Sequence, residues 1–153
     1  LARHATIVIA SDDELDLIAP PQAGNGAAKH LGDAGAGDET PADGETCNAK
    51  RLLEAGVREV VVKRGAAGAA VYTAEGCLDV PAIAVTCLDT VGAGDAFTAG
   101  YLSGLLDGEG VPERLRRGTL AGAFAVSTRG DWEGLPRRDE LALLDAARGS
   151  TQR

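Results

Sequence analysis

Residues 83–106 read IAVTCLDTVGAGDAFTAGYLSGLL: a β-branched run, a turn holding Gly92 and Gly94, and a stretch of small apolar residues. A chain that changes hydrophobic period in this way passes from strand to helix across a glycine turn. No other segment constrains the fold as tightly. The same order recurs near the start, where TIVIA (residues 6–10) leads into Ser11-Asp12-Asp13-Glu14 and then Leu15, Leu17 and Ile18. Ser-x-x-Glu ahead of apolar residues is a helix-start signature. VREVVVK (residues 57–63) predicts a strand, residues 65–68 a turn and residues 69–73 the return strand. Residues 77–80 and 83–88 predict further short strands. Helices are expected from Cys47 to a stop at Gly56, and over residues 96–106, 112–126 and 137–147. Strands alternating with helices imply an α/β fold with a largely parallel sheet.

Aromatic residues make up only 3% of the chain, so the core has to come from Ala, Val, Leu and Ile. The composition changes over residues 20–46, where Pro20, Pro21, Gly24, Gly26, Gly32, Gly35, Gly37, Pro41 and Gly44 punctuate a segment rich in Ala and Asp. Little of it could be buried, so a flexible or disordered insert is expected there. It separates a strand–helix start (1–19) from the main folded part (47–148), with a tail at 149–153.

A formal net charge of −8 disfavours nucleic acid as a partner, because phosphate backbones repel an acidic surface. Three cysteines without CxxC spacing suit a reducing cytoplasm better than a disulfide framework or zinc site. No apolar run reaches the ~20 residues that span a bilayer, and no signal peptide is evident.

The turn at residues 89–95 carries the chemistry. Gly92 and Gly94 let the backbone approach an anion, and the first amides of the following helix point outward without intrahelical partners. Asp95 stands beside them. A carboxylate would repel the ligand of a simple phosphate-holding loop. It suits a site where a hydroxyl gives up its proton before attacking phosphorus.

With its flanking strand and helix, DTVGAGDAFTAGYLSGLL resembles the second signature of the ribokinase-like (PfkB) carbohydrate kinases, whose core is DTxGAGD. The resemblance implies a general base at Asp95 and an anion hole at the amides of Gly92, Ala93 and Gly94. It also implies a monovalent cation, K⁺, near Asp89 and the Val91 carbonyl. VVVKRGAAG (residues 60–68) resembles the family's K-x-G-x-x-G segment, which lines the nucleotide. Lys63, Gly65 and Gly68 occupy the matching positions and Arg64 stands beside them. Read without the resemblance, the same segment is a hairpin turn with a solvated Lys-Arg pair. Ser11-x-x-Glu14 falls where the family has N-x-x-E, with Ser11 replacing Asn, so Glu14 is the residue to which an indirect Mg²⁺ role transfers. It is equally a capping box. GTLAGAFAVSTRG (residues 118–130) resembles the helix and loop flanking the adenine, while Trp132 reads as a packing anchor and His4 and His30 as incidental.

The implied function is ATP-dependent transfer of the γ-phosphate, with Mg²⁺, to a hydroxyl of a sugar or sugar acid in the cytoplasm. The Ser11 loop and the segment 130–134 look most like kinases of 2-keto-3-deoxygluconate; ribose, fructose and nucleosides are the runner-up acceptors. The chain begins at Leu1 and has no methionine. The expected architecture is therefore a truncated ribokinase-like fold, lacking the amino-terminal half with its sugar-binding residues and lid. The full-length protein is expected to form a homodimer. The alternative is a remnant that only binds nucleotide or serves as an interaction module.

Overall fold

A computed structural model describes residues 4–19, 41–130 and 135–140. Its elements run β1 (Ile7–Ser11), α1 (Asp12–Ile18), α2 (Pro41–Glu54), β2 (Glu59–Lys63), a 3₁₀ turn (Gly65–Ala67), β3 (Ala69–Thr73), β4 (Gly76–Val80), α3 (Ala93–Leu106) and α4 (Val111–Val126). The four strands form one sheet in the order β1-β2-β3-β4. Helices α1 and α2 link β1 to β2, the kind of crossover that a parallel pair requires, whereas the short β2–β3 and β3–β4 connections permit only antiparallel neighbours. The α/β class holds, but among the described strands hairpins supply more of the sheet than the expected parallel pairing.

The chain divides into two compact units, one of Leu1–Val62 with Tyr72–Gly76 and the other of Lys63–Val71 with Cys77–Arg153. In the first, Val8 and Ala10 of β1 are buried, and Val60, Val61 and Val62 make a continuously buried run in β2. Burial of consecutive residues means that both faces of the strand are covered. The capping box at Ser11 starts α1: the Ser11 hydroxyl accepts the Glu14 N–H at 3.3 Å, and Glu14 accepts the Ser11 N–H at 2.8 Å. Leu15 is fully buried beneath it. On α2, Asn48 donates to Asp16 and accepts from Arg51. The Tyr72 hydroxyl donates to Glu45 at 2.8 Å.

Helix α2 starts at Pro41, so residues 41–46 are helical and do not belong to the expected insert. A proline is tolerated in the first helical turn because its missing N–H would have no intrahelical partner there. The remainder of that insert, residues 20–40, lies outside the described residues, as do His30, Trp132 and most of the helix expected over 137–147. Residues 138–140, at the start of that expected helix, form a turn. The segment 83–88 is not a strand. The Leu88 and Asp89 amides both go to the Val126 carbonyl, at 2.7 and 3.4 Å, which directs them to the end of α4 and away from a strand partner.

In the second unit, α3 and α4 pack through small residues, as the scarcity of aromatics required. A Cβ added to Gly100 would lie 2.8 Å from the Arg117 carbonyl oxygen and 2.9 Å from the Ala121 Cβ. One added to Gly118 would meet the Phe97 carbonyl at 3.0 Å. Ala96, Ala121 and Ala125 fill the seam, and Phe97 stacks on Tyr101 with centroids 6.5 Å apart. Gly100→Val should therefore destabilise the chain by about 1–3 kcal/mol through overpacking. Gly44, with nothing within 4 Å on α2, is the contrasting site: Gly44→Ala should stabilise by roughly 0.5–1 kcal/mol. Urea denaturation of both variants checks the pair.

Candidate functional site

Helix α3 begins three residues before the position expected from sequence. Gly92 is its N-cap, at φ 74° and ψ −7°, a left-handed conformation that glycine adopts without strain. Ala93, Gly94 and Asp95 thus form the first helical turn. The Ala96 amide bonds the Gly92 carbonyl at 2.8 Å and the Ala93 amide makes a long 3.3 Å bond to the Thr90 carbonyl. Among the described residues, the amides of Gly92, Gly94 and Asp95 have no acceptor. Of the expected trio Gly92, Ala93 and Gly94, the Gly92 and Gly94 amides are bare, Ala93 makes this long bond, and the Asp95 amide is bare as well.

The Asp95 side chain is exposed, with no hydrogen bond or ion pair among the described residues. Its place in the first turn of a 14-residue helix suits a carboxylate, because the helix dipole is positive at that end. A solvent-facing carboxylate and unpaired amides at one helix start can together accept a proton and steady an anion.

Asp89 fixes the approach to this turn. One carboxylate oxygen accepts the Val91 N–H at 3.1 Å and the other accepts the Gly130 N–H at 3.3 Å, tying the turn to the segment that follows α4. The Val91 and Gly130 amides hold its carboxyl below the usual carboxylate range, with help from the Thr90 amide and the Arg129 charge and against partial desolvation. A depressed folded-state pKa contributes stability that is complete above the ordinary Asp value of about 3.9. That stability is lost as the pH falls through the lowered folded value. Wild type should thus melt higher than Asp89→Asn at pH 7, and the two should converge in strong acid. Asp89 retains free lone pairs on both oxygens, so a cation near the Val91 carbonyl is compatible with these bonds.

Lys63 ends β2, half-buried, with its ammonium 3.2 Å from where a Cβ on Gly94 would stand. The fold thus brings Lys63 to the α3 turn. It turns Arg64 elsewhere: the guanidinium pairs with Asp79 on β4 at 2.6 Å. Asp79 carried no recognisable signal in the sequence, since nothing local marks an acid on a neighbouring strand as a partner. Gly65 (φ 53°) and Gly68 (φ 100°) shape the turn, which closes through the Arg64 N–H to Gly68 carbonyl bond at 2.8 Å. Gly68 is buried against the backbone of residues 80–82, which gives it a packing role beyond that of a residue lining a ligand.

Glu14 belongs to the other unit, where its exposed carboxylate serves the α1 capping box. Among the described residues no group of three or more His, Cys, Asp and Glu side chains could hold a metal ion. Mg²⁺ does not require such a group, because it keeps several waters and usually takes only one or two carboxylates together with phosphate oxygens. The bare amides and Lys63 fit the phosphates of a nucleotide. No helix among the described residues is long and apolar enough to cross a membrane.

Residues 1–138 match the sequence model of the pfkB family carbohydrate kinases. The 2-dehydro-3-deoxygluconokinase of Bacillus subtilis (strain 168) is 38% identical over 117 residues, covering 69% of this chain and 36% of that protein. Its Escherichia coli K12 counterpart is 44% identical over 84 residues, covering 52% of this chain and 27% of that protein. Among solved structures, one described as ribokinase II from E. coli, in complex with ATP and Mg²⁺, superposes with a TM-score of 0.75 at 28% identity. That match covers 95% of this chain and 41% of the solved one. Aminoimidazole riboside kinase from Salmonella enterica, solved with its riboside and an ATP analogue, gives 0.70 at 29% identity over 94% and 43%. The chain thus spans about a third of the length of these curated relatives and about two fifths of these solved structures.

Proposed function

The chain belongs to the pfkB family of carbohydrate kinases, and from that membership we propose that it carries the base and the phosphate-binding turn of an ATP-dependent sugar-acid kinase. The acceptor class is 2-keto-3-deoxygluconate and related acids, in keeping with the 2-dehydro-3-deoxygluconokinases at 38% and 44% identity. One observation carries the proposal: Asp95 stands unpaired in the same helical turn as unpaired amides.

In this reading Asp95 takes the proton from the acceptor hydroxyl as its oxygen attacks the γ-phosphorus in line, and ADP leaves. The amides of Gly92, Gly94 and Asp95 face the charge on the transferred group. Because they are fixed by the helix, they need no reorganisation as that charge develops. Asp89 holds the turn in register and, with the Val91 carbonyl, offers a seat for K⁺. The segment from Lys63 to Gly68 lines the nucleotide, with Arg64 paired to Asp79. Glu14 would help to hold Mg²⁺, which supplies charge neutralisation on the phosphate oxygens. The three free cysteines accord with a reducing cytoplasm, and the full protein is expected to work as a homodimer.

A coupled ADP-release assay of the active polypeptide against 2-keto-3-deoxygluconate, ribose, fructose and a nucleoside tests this reading. The highest kcat/KM should fall on the sugar acid. A higher value for ribose or the nucleoside would reassign the acceptor, and no ADP release with any of them would end the kinase reading.

A further inference from the structure

The turn between β2 and β3 has little of its own to hold it in place. Residues 64–68 read Arg-Gly-Ala-Ala-Gly, so Arg64 is the one residue among them whose side chain is larger than a methyl group. Gly65, Ala66 and Ala67 are exposed, and Gly65 and Gly68 sit at φ 53° and 100°. Glycine loses more conformational freedom on ordering than any other residue, so a turn of this composition keeps one conformation only if it is anchored from outside. At its far end the anchor is the backbone contact of Gly68 with residues 80–82. At its near end, beside Lys63, it is the 2.6 Å ion pair of Arg64 with Asp79. In the sheet order β1-β2-β3-β4 this pair runs from the end of β2 to β4, past the strand between them. Asp79 is itself oriented: one carboxylate oxygen takes the guanidinium, and the other accepts the Cys77 thiol at 3.5 Å from two residues earlier on the same face of β4. The Asp79 side chain is 60% exposed, so the pair adds little to global stability and its consequence is local.

We propose that Asp79 is a positioning residue for nucleotide binding, which acts through Arg64 to hold the β2–β3 turn in one place. The inference rests on the kinase reading above, in which that turn lines the nucleotide. The negative charge of Asp79 taken alone would weaken the binding of a polyanion. A carboxylate here therefore assists binding only through the side chain that it holds. The two effects have opposite signs, which makes the role measurable: removing a bare charge would tighten Mg-ATP binding, whereas removing an anchor loosens it.

Steady-state kinetics of an active kinase polypeptide that carries this chain, with Asp79→Asn, Arg64→Gln and the two combined, test this. On the scale of an exposed ion pair, Asp79→Asn should raise the KM for Mg-ATP roughly two- to five-fold. Its kcat and its KM for the acceptor should stay close to wild type. Asp79→Glu, which keeps the charge, should restore most of the loss. In the Arg64→Gln background, Asp79→Asn should have no further effect, because the side chain it acts through has gone. An unchanged or lower KM for Mg-ATP in Asp79→Asn would overturn the proposal and leave the kinase reading intact. So would an effect of the same size in the Arg64→Gln background. A lower melting temperature with equal losses in kcat and both KM values would also overturn it, making the pair a general stabiliser of the fold. Absence of ADP release from the wild-type polypeptide would overturn the kinase reading and this proposal together.

Discussion

In an active kinase polypeptide that carries this chain, Asp95→Asn should lower kcat by about 10²–10⁴-fold while leaving the dissociation constant for Mg-ATP close to wild type, if Asp95 is the base proposed above. The change keeps the size of the side chain and its place in the first turn of α3, and removes only the capacity to take a proton. Asp95 makes no hydrogen bond or ion pair among the described residues, so its loss leaves no partner stranded. The exposed position also means that little packing depends on it. In the proposed reading, ground-state binding of the nucleotide rests on the α3 amides and the Lys63–Gly68 segment, which the variant retains. Measured together, turnover and nucleotide affinity separate a base from a binding residue. Unchanged turnover would remove Asp95 from the chemistry.

Gly68→Ala should destabilise the fold by about 3–5 kcal/mol, combining backbone strain with overpacking. Gly68 sits at φ 100° and ψ −138°, a region that side-chain-bearing residues avoid. A Cβ there would lie 2.1 Å from the Val80 carbonyl oxygen, 2.7 Å from the Ala82 nitrogen and 2.8 Å from the Pro81 carbonyl carbon. All three are backbone atoms, so relief requires moving the segment that follows β4. Chemical denaturation of the variant gives the value directly. A loss under 1 kcal/mol would show that the β2–β3 turn can separate from residues 80–82 at little cost.

These two sites illustrate which parts were legible in the sequence. Asp95 and its turn announce themselves locally, because a glycine N-cap, bare amides and a carboxylate all fall within a few residues. The capping box at Ser11 and Glu14 is legible for the same reason. The packing role of Gly68 is not, since its neighbours lie on another strand and no local pattern marks them. The pairing of Arg64 with Asp79 was hidden in the same way. Residues 83–88 have the β-branched composition of a strand, yet the amide of Leu88, like that of Asp89 after it, serves the end of α4. Composition reports what a segment could pair with, not whether a neighbour is present. At Pro41 the error ran the other way: Pro, Gly and Asp read as loop, but the first turn of a helix accepts them.

The account depends on a ligand's phosphates meeting the start of α3. A ¹H–¹⁵N correlation spectrum of the chain, recorded while Mg-ATP is titrated in, observes those amides individually. The resonances of Gly92, Gly94 and Asp95 should move furthest, and more with Mg-ATP than with AMP. Saturable binding that shifts other amides and leaves these three in place would contradict it.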